Sequence, residues 1–220
     1  KLAAFPYVNG GLFADENIEI PRITAEIVEL LVTECSEGFD WTDISPTIFG
    51  AIFESTLNPE TRRSDGMHYT SIENIHKVID PLFLDDLQTE FQTIQDIKVK
   101  RTRNDRLRAF QQKLASLRFL DPACGSGNFL TETYLSLRRI ENEVISLLND
   151  GSMVLDLDNP IHVSISQFYG SEINDFAVTV GKTALWIAES QMIKETESIV
   201  RMGLDFLPLT TSAFIHEGNA

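Results

Sequence analysis

The twelve residues Phe119 to Leu130, FLDPACGSGNFL, constrain this chain more than any other stretch. Leu117, Phe119 and Leu120 read as a short buried strand. It stops at Asp121 and Pro122. Ala123, Cys124, Gly125, Ser126 and Gly127 then form a small-residue turn, and a long amphipathic run opens at Asn128 and Phe129. Strand, tight turn and helix start together make a cradle for a nucleotide-like ligand, because unpaired amides and the positive end of the helix converge there. Glycines at 125 and 127 let the backbone bend and let a ligand approach without a Cβ in the way. The third glycine of a dinucleotide fingerprint is missing, since Leu130 holds its place. With an acid four residues before the first glycine, the pattern points to S-adenosylmethionine rather than to a dinucleotide.

Ahead of this stretch the sequence reads as helical. Phe5 to Phe13, FPYVNGGLF, sets turn residues between aromatics and reads as a packed loop. Thr24 is placed to cap an amphipathic helix carrying Ile27, Leu30 and Leu31 and ending near Gly38. Ser45-Pro46 starts another, with Ile48, Phe49, Ile52, Phe53 and Leu57 as its expected buried stripe. A polar loop from Asn58 to Gly66 follows. Thr70-Ser71-Ile72-Glu73 fits a capping box with Thr70 as the cap, so a helix burying Ile72, Ile75, Val78 and Ile79 is expected. Asp80-Pro81 then kinks that helix or begins a new one carrying Leu82, Phe83, Leu87 and Phe91.

Charge narrows the function. Eighteen basic against 33 acidic side chains give a net charge of -15, which argues against this chain gripping DNA by itself, because duplex binding relies on cations that neutralise phosphates. The local exception is Lys98, Lys100, Arg101, Arg103, Arg106 and Arg108, read either as a solvated basic linker between helices or as a phosphate-contacting loop. Cys35 and Cys124 lie far apart with no Cys or His cluster, so neither a disulfide nor a zinc site is expected, and a reducing cytoplasm is. His68 and His76 have no third ligand in register for a metal. No apolar run has the length of a membrane span, so no membrane partner is expected.

Beyond the glycine turn a helix is expected to about Leu148, ended by Asn149-Asp150-Gly151, with an aspartate-rich loop at 153–160 after it. Ser164 to Gln167 reads as a single helical turn. Phe168 to Ile173 reads as a second strand ending in Glu172. An acid at that tip is placed to accept hydrogen bonds from ribose hydroxyls, and the apolar Ile173 after it to cover a face of an adenine ring. Asn174 caps the next helix, on which Trp186 is read as core or as a packing residue. Ala213 to His216 reads as a third strand.

Five blocks, FPYVNGGLF, ISPTIFGAIFE, GMHYTSIENIHKVIDPLFLDDL, DPACGSGNFL and FYGSEINDFAVTVGKTALWIAESQM, resemble in collinear order the methyltransferase region of single-chain type IIG/IIL restriction–modification enzymes. The resemblance covers nearly the whole chain. It implies an adenine-N6 DNA methyltransferase of the gamma arrangement as the parent activity, with S-adenosylmethionine as cofactor and DNA as partner, the latter gripped mostly by regions outside this chain. DPACGSG matches motif I, so Asp121 through Phe129 are implied cofactor contacts. HYT matches motif X and adds Tyr69 and Thr70. Glu172 and Ile173 match motif II, and Asn219 matches the polar residue of motif III. The catalytic motif IV, Asn/Asp-Pro-Pro-aromatic, has no counterpart, since the sequence holds no Pro-Pro pair. The chain is therefore expected to stop before it and to be inactive alone.

The expected fold is the first half of a Rossmann-like sheet: three parallel strands with flanking helices at 117–220, behind a helical region at 1–116 that includes motif X. The first strand would keep an open edge, which is expected to favour a homodimer. Two other functions fit the same cofactor signature less fully: a methyltransferase of RNA or small molecules, and a non-catalytic methyltransferase-like scaffold.

Overall fold

The computed structural model describes residues 22–38, 44–48, 50–52, 70–149, 160–201, 203–204 and 213–219. The expectations for the loop at 5–13, for Phe49, Phe53 and Leu57, for the loop at 58–66, for His68 and Tyr69, and for 153–159 lie outside the described residues.

Three parallel strands form the sheet, in the order β1 (Phe119–Asp121), β2 (Phe168–Glu172) and β3 (Phe214–Glu217). This is the expected partial Rossmann-like sheet. The third strand begins one residue later than its sequence pattern suggests. Helices precede and connect the strands: α1 (Ala25–Val32), α2 (Ile72–Ile79), α3 (Asp85–Gln95), α4 (Lys100–Ser116), α5 (Asn128–Asn149) and α6 (Asp175–Val200). Ser164 opens a short 3-10 turn, Ile165–Gln167, through a complete capping box, and the Gln167 amide then ties that turn to the Leu114 and Leu117 carbonyls.

Aromatic stacking pins the start of the sheet to its helices. Phe83 lies 5.0 Å from Phe119 between ring centroids, Phe119 stacks on Phe168 at 5.3 Å, and Tyr134 of α5 meets Phe168 edge-on at 5.7 Å. The core is one cluster, drawing Ile75, Leu87, Phe110 and Leu114 from the helical region and Leu137, Ile165, Leu185 and Ile215 from the sheet region. The cross-strand neighbours Leu120, Tyr169 and Phe214 lie on the other side of the sheet; Leu120 is 71% exposed among the described residues.

Several sequence expectations need correction. Ser71, not Thr70, caps α2: its hydroxyl accepts from the Asn74 amide, while Glu73 pairs with Lys77 one turn on instead of returning to the cap. Pro81 neither breaks the helix nor restarts it. A π-helical turn at Asp80–Leu84, with no side-chain cap, accommodates the proline, which has no N–H to donate, and joins α2 to α3. Ile72 and Val78 are exposed and Leu82 is 71% exposed; Leu84 is the residue buried instead. The widened turn shifts the helical phase beyond it, so a 3.6-residue stripe carried across Pro81 picks Leu82 rather than Leu84, whereas Ile72 and Val78, which precede the turn, flank the buried Ile75 and Ile79. Ile48 and Ile52 are also exposed among the described residues, as are Ile27, Leu30 and Leu31 of α1. The basic stretch lies on α4 from Lys100 to Arg108 rather than in a linker, and Lys98 precedes the helix. Its exposed cations sit at the positive end of a helix with no acid in its first turn.

The least anticipated feature is the polar lining of α5. Arg138 and Glu141 are fully buried and paired with each other. Glu141 also accepts from Gln111 Nε2 at 2.9 Å and from the His162 and Val163 amides. Arg138 donates to Thr196 Oγ1 at 2.6 Å, and that hydroxyl lies 2.7 Å from Asn142 Oδ1. One charge pair thus joins α4, α5, α6 and the chain entering β2. Glu141→Gln should destabilise the protein by about 3 kcal/mol in urea unfolding, because it strands a buried guanidinium. A loss of under about 1 kcal/mol would mean that the network contributes no more than a surface pair.

Candidate functional site

The turn after β1 is built by two glycines that only glycine suits. Gly125 and Gly127 have φ of 54° and 74°. Gly127 N donates to the Cys124 carbonyl at 2.8 Å and closes the turn; the Gly127 carbonyl then accepts from Thr131 N and begins α5. A Cβ built on Gly125 would meet nothing within 4 Å, so open space lies beside the turn there.

Cys124 anchors the turn beneath. Its amide donates to the Ser171 carbonyl at 3.0 Å and extends the β1–β2 pairing by one bond. Its Sγ fills the room left by Gly170, where a Cβ would come within 2.8 Å. Burial, with the charges of Asp121 and Glu172 behind it, pushes the thiol up to about 12. It therefore stays protonated at neutral pH and serves as packing, not as a nucleophile.

Glu172 supplies what the sequence pattern does not disclose. Its Oε2 accepts from Gly125 N at 2.8 Å and its Oε1 from Asn174 N at 3.0 Å, and its own carbonyl accepts from Gly218 N. The acid at the tip of β2 thus fastens the turn after β1, the start of α6 and the end of β3. A carboxylate has about four acceptor positions, so each oxygen keeps capacity for a ligand hydroxyl. Ser171 Oγ adds a bond to the Gly218 carbonyl at 3.0 Å.

The remaining candidates fall into two groups. Asp121, Pro122, Ala123, Ser126, Asn128 and Phe129 belong to the same turn as the glycines, and Ile173, 64% exposed, follows Glu172 directly. Asn219 is exposed just beyond the Gly218 contact. Thr70 is half-buried before α2, and α2 reaches the start of α5 where His76 Nε2 lies 3.1 Å from Glu132 Oε1. The bond to Asp80, then that to Glu132, raises the His76 pKa against the opposing effect of burial. Among the described residues, no group of three or more His, Cys, Asp or Glu is arranged to hold a metal.

Residues 96–220 match the family described as the MmeI DNA-methyltransferase domain. The chain belongs to this family. A solved relative in the MmeI family carries the same architecture: the type IIL restriction–modification enzyme MmeI, determined in complex with DNA, superposes with a TM-score of 0.85 at 40% identity over 99% of this chain and 28% of that one. DNA methyltransferase A of Bacillus subtilis is 42% identical over the whole of this chain, which spans 24% of that protein. A Methanocaldococcus jannaschii protein, whose name couples a type II restriction enzyme with a methyltransferase, is 27% identical over 83% of this chain and 18% of its own length. The chain thus spans about a quarter of the length of DNA methyltransferase A and of the MmeI chain.

The cost of this site shows at Asp121. Burial, helped by the nearby charge of Glu172, raises its carboxyl above the usual range, although the Ala123 amide partly offsets this through a 3.1 Å bond. With the folded value raised, the stability contributed by the neutral form is complete below the ordinary carboxylate range and is lost as pH rises through the raised value. Asp121→Asn should therefore raise the melting temperature at pH 7 and leave it nearly unchanged near pH 3, where both side chains are neutral. A variant less stable than the parent at pH 7 would contradict this.

Proposed function

We propose that this chain forms the S-adenosylmethionine site of a site-specific, restriction–modification-type DNA methyltransferase that modifies adenine N6. The observation that carries the cofactor reading is the charge of the cradle. A dinucleotide brings phosphates, which two neighbouring carboxylates would repel; S-adenosylmethionine brings a sulfonium and an ammonium, which Asp121 and Glu172 attract. The carboxyl of Asp121, raised mainly by burial and further by the charge of Glu172, fits the same reading, since a cation beside it would favour the ionised form.

Each group has a task on this reading. Glu172 keeps its two backbone amides and offers its remaining lone pairs to the ribose hydroxyls. Ile173 covers one face of the adenine ring, with Asn219 at its edge. The turn from Asp121 to Phe129, with Tyr69 and Thr70, holds the methionine end. S-adenosylmethionine, when bound, supplies an already activated methyl group, so the task of these residues is orientation.

The target base needs its own cradle. The sequence has no Asn/Asp-Pro-Pro-aromatic string, so residues outside these 220 would hold the flipped base, and the chain alone would transfer no methyl. A net charge of -15 supports placing most of the DNA grip outside the chain as well.

The test is methyl transfer by the full native protein from methyl-labelled S-adenosylmethionine to duplex DNA, followed by nucleoside digestion. N6-methyladenine is expected as the labelled product. Label recovered as N4-methylcytosine would overturn the base assignment, and label on RNA but not on DNA would overturn the substrate.

A further inference from the structure

Two glycines outside the cofactor turn sit in helical backbone, where alanine is the better helix former. One is Gly50, in the helical turn at 50–52 of the N-terminal segment; the other is Gly181, inside α6. Positive φ values among the described glycines occur at Gly125 and Gly127 only, so backbone conformation does not require glycine at either site. Contact does. A Cβ on Gly50 would lie 2.3 Å from Ser126 Oγ, and 2.8 and 3.0 Å from Asn128 Oδ1 and Nδ2. A Cβ on Gly181 would lie 3.3 Å from the Ser126 carbonyl carbon and oxygen, and one on Gly127 would lie 3.2 Å from the Gly181 Cα.

The two contacts differ in kind. Gly181 meets the backbone of the turn, whereas Gly50 meets the side chains of Ser126 and Asn128. Asn128 is 6% exposed, so the packing around it limits how far it can swing aside, and its Oδ1 has no hydrogen-bond partner among the described residues. The segment carrying Gly50 is itself secured. Gln191 of α6 donates to the Ile44 carbonyl at 2.7 Å, Ser45 Oγ lies 2.8 Å from Thr47 Oγ1, and Gly50 N donates to the Thr47 carbonyl at 3.2 Å. A side chain at position 50 would therefore displace Ser126 and Asn128 more readily than it would lift the segment.

We infer that Gly50 is a positioning residue of the cofactor site: the bare backbone at position 50 sets where Ser126 and Asn128 stand in the turn. The inference rests on the cofactor reading above and extends the site into a segment more than seventy residues upstream in sequence. Its chemistry is steric. Its effect passes through Ser126 and Asn128.

The experiment compares Gly50→Ala, Ser126→Ala and the double variant in the full native protein. S-adenosylmethionine affinity is read by calorimetry, KM and kcat by methyl transfer, and folding by melting temperature. Gly50→Ala should weaken cofactor binding about tenfold through local overpacking and raise KM in step, while kcat at saturating cofactor changes less than about threefold. Removing Ser126 Oγ takes away the shortest clash, so the double variant should bind closer to Ser126→Ala than the sum of the two losses. Unchanged affinity in Gly50→Ala, or strictly additive losses in the double variant, overturns the inference. A fall in melting temperature with cofactor KM unmoved also overturns it, because that pattern marks a merely structural glycine. Failure of the unaltered protein to bind S-adenosylmethionine would sink the cofactor reading and this inference with it.

Discussion

The Glu172 carboxylate sits between two backbone amides, those of Gly125 and Asn174, and nearly every feature of the site follows from that geometry. The amide of a glycine at positive φ has few acceptors within reach, and the turn offers none of its own to Gly125. Glu172 supplies one from the neighbouring strand, at the point where β2 ends and α6 begins. Burying a carboxylate is costly unless donors meet it, and here the donors are the backbone that has to be fixed. One residue therefore braces the turn after β1 and the start of α6 through its side chain and, through its main-chain carbonyl, the end of β3.

Beneath the site, the fold invests in a second buried charge system. Arg138 and Glu141 lie in the middle of α5, enclosed by α4, α6 and the chain entering β2. Such a pair adds little net stability over an apolar replacement, but it rejects any arrangement that leaves either partner alone. It fixes the rotation of α5 about its axis. Because α5 begins at Asn128, that rotation also fixes how the cofactor turn is presented to a ligand.

Much of this was legible in the chain. The glycine turn, the acid ending β2, the Asn174 cap of α6 and three parallel strands follow from local pattern, and the structure places each of them within a residue or so of expectation. What escaped depends on tertiary context. Placing Leu82 inside assumes a regular 3.6-residue phase through Pro81, and the π turn there breaks it, burying Leu84 instead. The cap at Ser71 competes with an equally suitable Thr70 one residue earlier, and sequence cannot rank adjacent hydroxyls. Arg138 and Glu141 draw no notice in the sequence, because the partners that satisfy them inside the fold, Gln111 and Thr196, are distant in sequence. Gly50 does not stand out in the sequence, because the contacts that a side chain there would meet lie at residues 126 and 128.

The account stands or falls on Glu172 acting both as brace for the turn and as acceptor for the ligand. Calorimetric titration of the native protein with S-adenosylmethionine, set beside Glu172→Gln and Glu172→Ala, tests this directly. One saturable site is predicted, with binding weakened roughly 10- to 100-fold in Glu172→Ala, as expected for losing hydrogen bonds to a charged group, and by less in Glu172→Gln, which keeps one acceptor oxygen. Equal affinity across all three proteins would contradict the account.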